Sequence, residues 1–461
     1  MTDYPAASRK SKFAPRPSHL SNTINRVLSG MRPTGRLHIG HYFGALQNWV
    51  KLQSDPTYEC FYFVADWHAL TSDYADTSAI AENSLQITID FLAAGLDPAK
   101  STIFLQSQVP EHAELHLLLS MVTPLGWLER IPTYKEQIEN VTNKDLHTYG
   151  FLGYPTLQTA DIVLYSDPGS PAEAGSLAKA GKGLFVPVGE DQVSHVEFSR
   201  ELVRRFNLFY GFQPHPDLFR WENWKLLSSI FDVVGRPESI PPLRGPGQIP
   251  LPEDTKLQLL TTIRNRALEV GVANFLEKVP ANTKHLFGSQ EVLIEPAVLL
   301  TPTPRIPGLD GRKMSKSYGN AITLSESDDD IRKKTKVMVT DPARKRRTDP
   351  GNPDVCPVYD WHKLFSTPEG DPGRLDWVRQ GCTTAGIGCI ECKSAMAENL
   401  IKWIEPVRAR RVDYEQNPKR VLEILDAGSA KARESAKQTM QRVRDSIFNW
   451  SRKRQESSGW S

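Results

Sequence analysis

The chain has 461 residues and a mass of 51.8 kDa, of which 39% are hydrophobic and 24% charged, a balance typical of a globular protein with a large core. Lysine and arginine exceed aspartate and glutamate by only two, 56 against 54, so no overall charge bias points to a nucleic acid or a membrane surface. The longest apolar runs, such as residues 91–96, are far below the roughly 18 residues that span a bilayer, which excludes a transmembrane protein.

The N-terminal segment, residues 1–25, is polar and rich in proline and serine. Its basic composition is also that of a transit peptide, but no convincing amphipathic stripe is present, so we predict a disordered extension. A secretory signal is absent, and five cysteines in a chain of this length are too few for a disulfide scaffold. We therefore expect a cytoplasmic protein.

From residue 26 onward, short apolar runs alternate with amphipathic ones, which predicts an α/β fold with a parallel sheet and crossover helices. Strands are predicted at 26–30, 60–66 and 102–106, and helices at 40–53, 78–96 and 112–121. In such a fold, ligands bind beyond the carboxyl ends of the strands.

The organisation changes in the second half of the chain. Residues 393–454 are helical in pattern and hold 15 Lys/Arg against 8 Asp/Glu, a local charge of +7. The predicted units are the first part of a Rossmann-type domain at 26–211, an inserted subdomain of unknown role at 212–290, the completion of the first domain at 291–335 and a helical domain at 336–461.

The segment 29–41 follows a predicted strand and opens a helix, so its backbone N–H groups face any anion bound there. His38 and His41 are three residues apart and lie on one face of the first turn, and Gly40 between them lets a flat ring or a phosphate approach the backbone. Two ordinary surface histidines would give the same pattern.

A second loop, Asp310 to Ser317, carries Lys313 and Lys316 together with two hydroxyls between flanking glycines. Mobile lysines suit a triphosphate, because their donors follow charge to a leaving pyrophosphate. A solvated basic loop is the alternative interpretation.

Together the two segments match one class of nucleotide-binding enzymes. His38-Ile39-Gly40-His41 and Lys313-Met314-Ser315-Lys316-Ser317 are identical to the HIGH and KMSKS motifs of the class I aminoacyl-tRNA synthetases, and their order along the chain agrees. The sequence therefore resembles that class, which implies a Rossmann-type catalytic domain and a C-terminal α-helical anticodon-binding domain.

Within the class, the sequence most resembles the bacterial tryptophanyl-tRNA synthetases over about residues 26–211 and 291–450. The segments that carry this resemblance are 29–35, 64–71, 154–162 and 186–192. The resemblance implies a tryptophan–tRNA ligase that acts as a homodimer on tRNA(Trp), L-tryptophan and ATP with Mg²⁺. Tyrosyl-tRNA synthetase is the near alternative, and an inactive synthetase-like RNA-binding or regulatory module is the more distant one.

Asp161 lies inside an apolar run, where an unpaired charge would be costly. In the family that the sequence resembles, the matching carboxylate accepts the indole N–H. Indole offers one donor and no acceptor, and a buried acceptor left unpaired by phenylalanine penalises the wrong substrate.

The resemblance also implies roles for further residues. His38, His41, Lys313 and Lys316 are expected to hold the phosphates, together with Lys135, and Tyr154, Gln192 and His68 are expected beside the amino acid with Asp161. The residues expected to line ATP are Arg32, Pro33, Thr34, Gly40, His41, Gly189, Glu190, Asp191, Ile306, Lys313, Met314, Ser315, Lys316 and Ser317. Arg32 stands where many family members have glutamine.

Four of the five cysteines lie within 37 residues, Cys356, Cys382, Cys389 and Cys392, with the spacing C-x25-C-x6-C-x2-C. This is metal-ligand spacing, suited to Zn²⁺ or to a [4Fe–4S] cluster. Some bacterial members of the resembled family carry a [4Fe–4S] cluster on a similar quartet, so we expect the cluster rather than zinc, with a structural role.

Overall fold

The computed structural model describes residues 24–140, 145–169, 182–236, 251–300, 306–367, 370–450 and 453–454. The predicted N-terminal extension therefore lies almost entirely outside the described residues.

A five-stranded parallel sheet with the strand order β3-β2-β1-β4-β7 forms the centre, and a two-stranded antiparallel ribbon, β5-β6, lies apart from it. The strands are β1 (Asn25–Met31), β2 (Tyr58–Val64), β3 (Ser101–Leu105), β4 (Leu184–Val188), β5 (Phe212–Pro214), β6 (Phe287–Ser289) and β7 (Ala297–Leu300). The predicted α/β class with a parallel sheet is confirmed.

Helices connect and cover these strands. Those before the insertion are α1 (Ile39–His41), α2 (Gln47–Leu52), α3 (Asp66–Asp73), α4 (Ile80–Ala94), α5 (Glu111–Ser120), α6 (Leu125–Leu128), α7 (Pro132–Asn140), α8 (Tyr149–Val163) and α9 (Val193–Tyr210). A turn of π-helix, Tyr42–Leu46, joins α1 to α2, and α4 ends at Gly95, whose φ of +115° favours glycine.

Both faces of the sheet are buried, as its apolar strands require. Along β2, Cys60 and Tyr62 contribute to one hydrophobic cluster, whereas Phe61 and Phe63 contribute to the cluster on the other face. This alternation is the two-residue period of a strand.

The segment between β5 and β6 has a core of its own, which includes the fully buried Phe212, Leu259 and Phe275. Its helices are α10 (Trp224–Val234), α11 (Glu253–Val270) and α12 (Val272–Lys278). This segment lies within the range predicted as an inserted subdomain.

The C-terminal part is helical, as predicted. Its helices are α13 (Asp328–Lys336), α14 (Pro357–Phe365), α15 (Arg374–Thr383), α16 (Cys389–Gln416) and α17 (Pro418–Phe448). Among the helices of the described ranges, none has both the length and the apolar character needed to cross a membrane.

The last helix packs against β3, which forms one edge of the sheet. The Ser429 hydroxyl accepts a hydrogen bond of 3.3 Å from the backbone N–H of Leu105. A Cβ on Gly428 would overlap the carbonyl oxygen of Ile103, so glycine permits this close approach of helix and strand.

Candidate active site

A cavity of about 380 Å³ opens at the carboxyl ends of β1 and β4, the position expected for a ligand site in an open parallel sheet. Helices α3 and α8 complete its wall. Of the predicted site residues, those that line the cavity are Arg32, His68, Tyr154, Asp161, Gly189 and Gln192.

Asp161 lies at the buried end of this cavity, with 1% of its surface exposed. The His68 ring donates to Asp161 Oδ2 at 2.7 Å, and His112 Nδ1 donates to Oδ1 at 2.7 Å. Gln106 Nε2 also donates to Oδ1, at 2.7 Å. Burial alone would raise the pKa of Asp161, but the two histidines outweigh it and bring the pKa to about 2, so the carboxylate is ionised at neutral pH.

Arg32 and Tyr154 lie on the wall of the cavity, along with Gln192. Arg32 donates to the Ser72 hydroxyl and lies 3.8 Å from the Asp73 carboxylate. Burial lowers the pKa of the Arg32 guanidinium, although Asp73 opposes this effect. Arg32 is thus anchored to α3, where it projects a positive charge along the cavity wall.

The two histidines of the first motif stack on each other, with ring centroids 3.7 Å apart. Burial, together with Lys316, lowers the pKa of His38 to about 4. Burial, together with His38 and the two lysines, lowers the pKa of His41 to about 3. The His38 backbone N–H donates to His41 Nδ1 at 3.3 Å, so the neutral His41 ring carries its proton on Nε2. His38 Nδ1 is buried and has no hydrogen-bond partner among the described residues.

The second motif meets the first. Lys316 Nζ donates to the carbonyl oxygens of Thr34 and Arg36, to the latter at 3.0 Å. A Cβ on Gly40 would lie 3.5 Å from Met314 Sδ. The HIGH and KMSKS segments are thus brought into contact across more than 270 residues of sequence.

Asn320 organises the lysine-bearing loop. Its side chain accepts from the Ser315 backbone N–H at 2.7 Å and donates to Asp310 at 2.7 Å and to the Lys313 carbonyl at 3.1 Å. Because Asn320 is 3% exposed, these bonds fix the loop's path from inside. The Lys313 side chain remains exposed.

The remaining predicted residues are placed as follows. Pro33, Ile306 and Met314 are buried, Gly40 and Ser315 are half-buried, and Thr34, Glu190 and Ser317 are exposed. Lys135 lies on α7 with an exposed side chain, outside the cavity wall, and the Asp191 side chain lies outside what the structure describes.

Sequence reasoning missed several groups that support this site. His112 and Gln106 have no motif around them that marks a site, and neither was predicted to contact Asp161. Asp90 accepts from the Leu37 backbone N–H at 2.6 Å and also binds the Arg411 guanidinium. Asp90 and Arg411 are 321 residues apart and almost fully buried, so α16 is tied to the loop that precedes α1.

The four cysteines of the quartet are free thiols, and Cys356, Cys382 and Cys389 lie close enough to Cys392 to act on its charge. Burial raises the pKa of Cys392 to about 12, and the other three thiols add to this effect. Within the described ranges, however, no group of three or more histidine, cysteine or acidic side chains has the arrangement of a metal site. The quartet supplies the donor chemistry for a cluster or zinc ion without a ligating arrangement, and the predicted [4Fe–4S] cluster is not confirmed.

Comparisons with known proteins agree with this geometry. The family described as "tRNA synthetases class I (W and Y)" matches residues 21–220 and 275–405. Tryptophan–tRNA ligase of Ralstonia nicotianae is 46% identical over 438 residues, 92% of this chain and 98% of the relative. The enzyme of Thermotoga maritima is 41% identical and covers 91% and 98%.

Solved structures give the same result. Tryptophanyl-tRNA synthetase from Campylobacter jejuni, complexed with ADP and tryptophan, has 27% sequence identity to this chain and a TM-score of 0.62. The match covers 92% of this chain and 99% of that one.

The parallel sheet, with the HIGH and KMSKS segments meeting beside its cavity, defines a class I aminoacyl-tRNA synthetase. With these relatives matched along almost their whole length, the chain belongs to the tryptophan–tRNA ligase family. The predicted family, enzyme class and function, the attachment of tryptophan to tRNA, are therefore confirmed.

Proposed function

We propose that this chain attaches L-tryptophan to tRNA(Trp) in two steps within the cavity described above. The observation that carries the proposal is the arrangement of the cavity: Asp161 lies at its buried end, and the strand ends that line it lead to the contacting HIGH and KMSKS segments. Tryptophan, with its indole against Asp161, and ATP, with its phosphates against the two motifs, fit this order of groups.

In the first step, a carboxylate oxygen of tryptophan attacks the α-phosphorus of ATP. A bond forms between them, the bond to the bridging oxygen of the β-phosphate breaks, and Mg²⁺-bound pyrophosphate leaves. His38 and His41 are neutral donors to the phosphates, whereas Lys313 and Lys316 supply positive charge that follows the leaving group. Neither pair needs to form a covalent bond, because positioning and charge stabilisation suffice.

At the amino-acid end, Asp161 accepts the indole N–H, and Tyr154 and Gln192 hold the α-ammonium group. The ATP side is lined by Arg32, Pro33, Thr34, Gly40, Gly189, Glu190, Asp191, Ile306, Met314, Ser315 and Ser317, and Lys135 helps to hold pyrophosphate.

In the second step, a hydroxyl of the terminal ribose of the tRNA attacks the activated carbonyl and AMP leaves. The basic helices α16 and α17 are the proposed contact for the RNA backbone, since residues 393–454 carry a net charge of +7, 15 minus 8. The cytoplasm is the proposed location.

ATP–pyrophosphate exchange tests the proposal directly. Purified protein is assayed separately with tryptophan, tyrosine and phenylalanine, and exchange is expected with tryptophan alone. Exchange with tyrosine would overturn the specificity, and folded protein without exchange on any of the three would overturn the assignment of this cavity as a catalytic site.

We also propose that Cys356, Cys382, Cys389 and Cys392 hold a [4Fe–4S] cluster in preference to Zn²⁺, with a structural role. The gathering of all four thiols in one neighbourhood supports this proposal. Iron, acid-labile sulfide and zinc are measured in protein purified without oxygen, with Cys60→Ser as the matched control. Iron and sulfide in equal amounts, lost in Cys389→Ser but retained in Cys60→Ser, are expected; zinc or no metal would reject the cluster.

The homodimer is likewise proposed, through an apolar surface on α5, α6 and the start of α8. Leu117, Met121, Leu125 and Tyr149 are 53–70% exposed there, and exposed apolar patches mark interaction sites. Met121→Glu is expected to give monomers in sedimentation experiments. Leu257→Glu, at an equally exposed leucine of the insertion (63%), should leave the mass unchanged, and a dimeric Met121→Glu would contradict the proposed surface.

A further inference from the structure

The side of Asp161 that faces away from the cavity carries a hydrogen-bond chain that none of the roles above uses. His112 Nδ1 contacts Asp161 Oδ1, and His112 Nε2 lies 3.0 Å from the Tyr165 hydroxyl. His112, Tyr165 and Gln106 are each completely buried. None of the three lines the cavity, so they reach a ligand only through Asp161.

The position of each proton in the Asp161–His112–Tyr165 hydrogen-bond chain follows from the chemistry of Asp161 and Tyr165. Asp161 is ionised, so His112 Nδ1 must carry the hydrogen that bridges them. Burial raises the pKa of Tyr165 well above its usual value, so its hydroxyl keeps a proton that is available to His112 Nε2, 3.0 Å away. Both ring nitrogens of His112 then have a partner, with the bridging hydrogen on Nδ1.

Gln106 is fixed in the same way. Its side-chain oxygen accepts from the backbone N–H of Trp67 at 3.1 Å, which directs its NH₂ group to Asp161 Oδ1. An ionised carboxylate has about four acceptor sites, two on each oxygen. His112 and Gln106 fill both sites of Oδ1, whereas among the described residues Oδ2 receives only His68. One acceptor site is left, and indole has one donor.

We propose that Tyr165 and His112 are positioning residues for tryptophan recognition: by holding His112 as the Nδ1–H tautomer against Oδ1, they leave a single lone pair of Asp161 Oδ2 for the indole N–H. This inference rests on the proposed role of Asp161. It assigns the specificity of the site to a hydroxyl that never touches the substrate.

The test compares tryptophan with its benzothienyl analogue, in which sulfur replaces the indole N–H, in ATP–pyrophosphate exchange. Tyr165→Phe is expected to raise the KM for tryptophan about tenfold, because a hydrogen bond to a charged group is weakened. The kcat, and the KM for the analogue, should stay within about twofold of the wild-type values. The preference for tryptophan, which is the ratio of the analogue KM to the tryptophan KM, should therefore fall about tenfold.

Tyr62→Phe is the matched control, because Tyr62 is equally buried and its hydroxyl donates to the Trp49 carbonyl at 3.1 Å. It should leave the preference unchanged. A preference that does not narrow in Tyr165→Phe, whether both KM values rise equally or neither rises, would overturn the inference. A wild-type protein that takes both substrates equally well would instead overturn the role of Asp161 itself.

A spectroscopic measurement keeps the proposal testable if Tyr165→Phe does not fold. Histidines labelled with ¹⁵N in the wild-type protein report their tautomers, and the signal lost in His112→Gln identifies His112. The Nδ1–H tautomer is expected, and the Nε2–H tautomer would overturn the proposal.

Discussion

The cavity around Asp161 and the neighbouring HIGH and KMSKS segments are built on opposite principles. At the proposed amino-acid end, three donors surround the buried carboxylate of Asp161 and leave one of its acceptor sites open among the described residues. At the proposed phosphate end, His38 Nδ1 is buried without a hydrogen-bond partner among the described residues, and Lys316 donates to backbone carbonyls.

The difference teaches what each end must do. An acceptor that selects a ring with one N–H donor must be held in place. If the acceptor could move to another partner, a substrate without the donor would not leave it unpaired, and the energetic penalty would be lost. Phosphate charge moves during the reaction, so neutral or loosely held side chains suit the phosphate contacts proposed for this region.

Breaking the support of the phosphate end has the largest expected effect. Arg411→Met removes the buried cation that pairs with Asp90 in the interior, so the free energy of unfolding should fall by about 3–5 kcal/mol. Urea denaturation measures it, with Arg420→Met as the control, because Arg420 makes an exposed pair with Asp413 and should cost about 1 kcal/mol or less. In enzyme that remains folded, the KM for ATP should rise more than that for tryptophan, and equal losses in both variants would contradict a buried pair.

Next in size is the loss of one mobile cation. Lys316→Ala should lower the rate of pyrophosphate exchange about 10²–10³-fold, the usual range for removing one charge-stabilising donor. The KM for tryptophan should hardly change, because Lys316 is absent from the cavity wall. Lys333→Ala, at a lysine 77% exposed, is the control, and a KM for tryptophan that rises in parallel would show that the two ends are not independent.

A smaller effect is expected from neutralising the amino-acid end. Asp161→Asn places an NH₂ group among donors from His68, His112 and Gln106, so the KM for tryptophan should rise about 10- to 100-fold. The KM for ATP measured in the same assay is the internal control. If the two constants rise together, Asp161 supports the whole cavity rather than the indole contact.

The smallest effect concerns pH. Folding lowers the pKa values of His38 and His41 from 6.5 to about 4 and about 3, so the unfolded chain binds protons more strongly. The stability that these two rings contribute is present above pH 6.5 and is lost as the pH falls from 6.5 towards their folded-state pKa values of about 4 and about 3. His41→Gln should reduce the fall in Tm between pH 7 and pH 5 by about 2 °C, and an unchanged fall would contradict a neutral His41.

Features of the site formed by residues close together in the sequence could be predicted, whereas contacts between distant residues could not. The HIGH and KMSKS segments are contiguous motifs whose residue types indicate phosphate binding. Asp161 could be recognised because it is a charged residue within an apolar run. The Asp90–Arg411 pair joins positions 321 residues apart, and its residue types are ordinary on helix surfaces. Nothing local distinguishes it from a solvated pair.

His112 and Tyr165 illustrate a second limit. The sequence around each residue is equally typical of an ordinary core residue. Only the packing of α5 against α8 brings the two side chains into one hydrogen-bonded network. For the cysteines the pattern indicates a donor set, but their spacing along the chain does not determine how the sulfurs are arranged in space. The domain boundaries likewise stay predictions.

The packing of α17 on β3 has a consequence for how the chain avoids self-association. Ser429 takes the Leu105 N–H, and Gly428 lies against Ile103, so the hydrogen-bonding groups of an edge strand are covered by a helix from the far end of the chain. An uncovered edge is a template for strand addition by another copy. A chain that ends before α17 would therefore present this edge to its neighbours and tend to aggregate, so the last helix protects the chain from self-association.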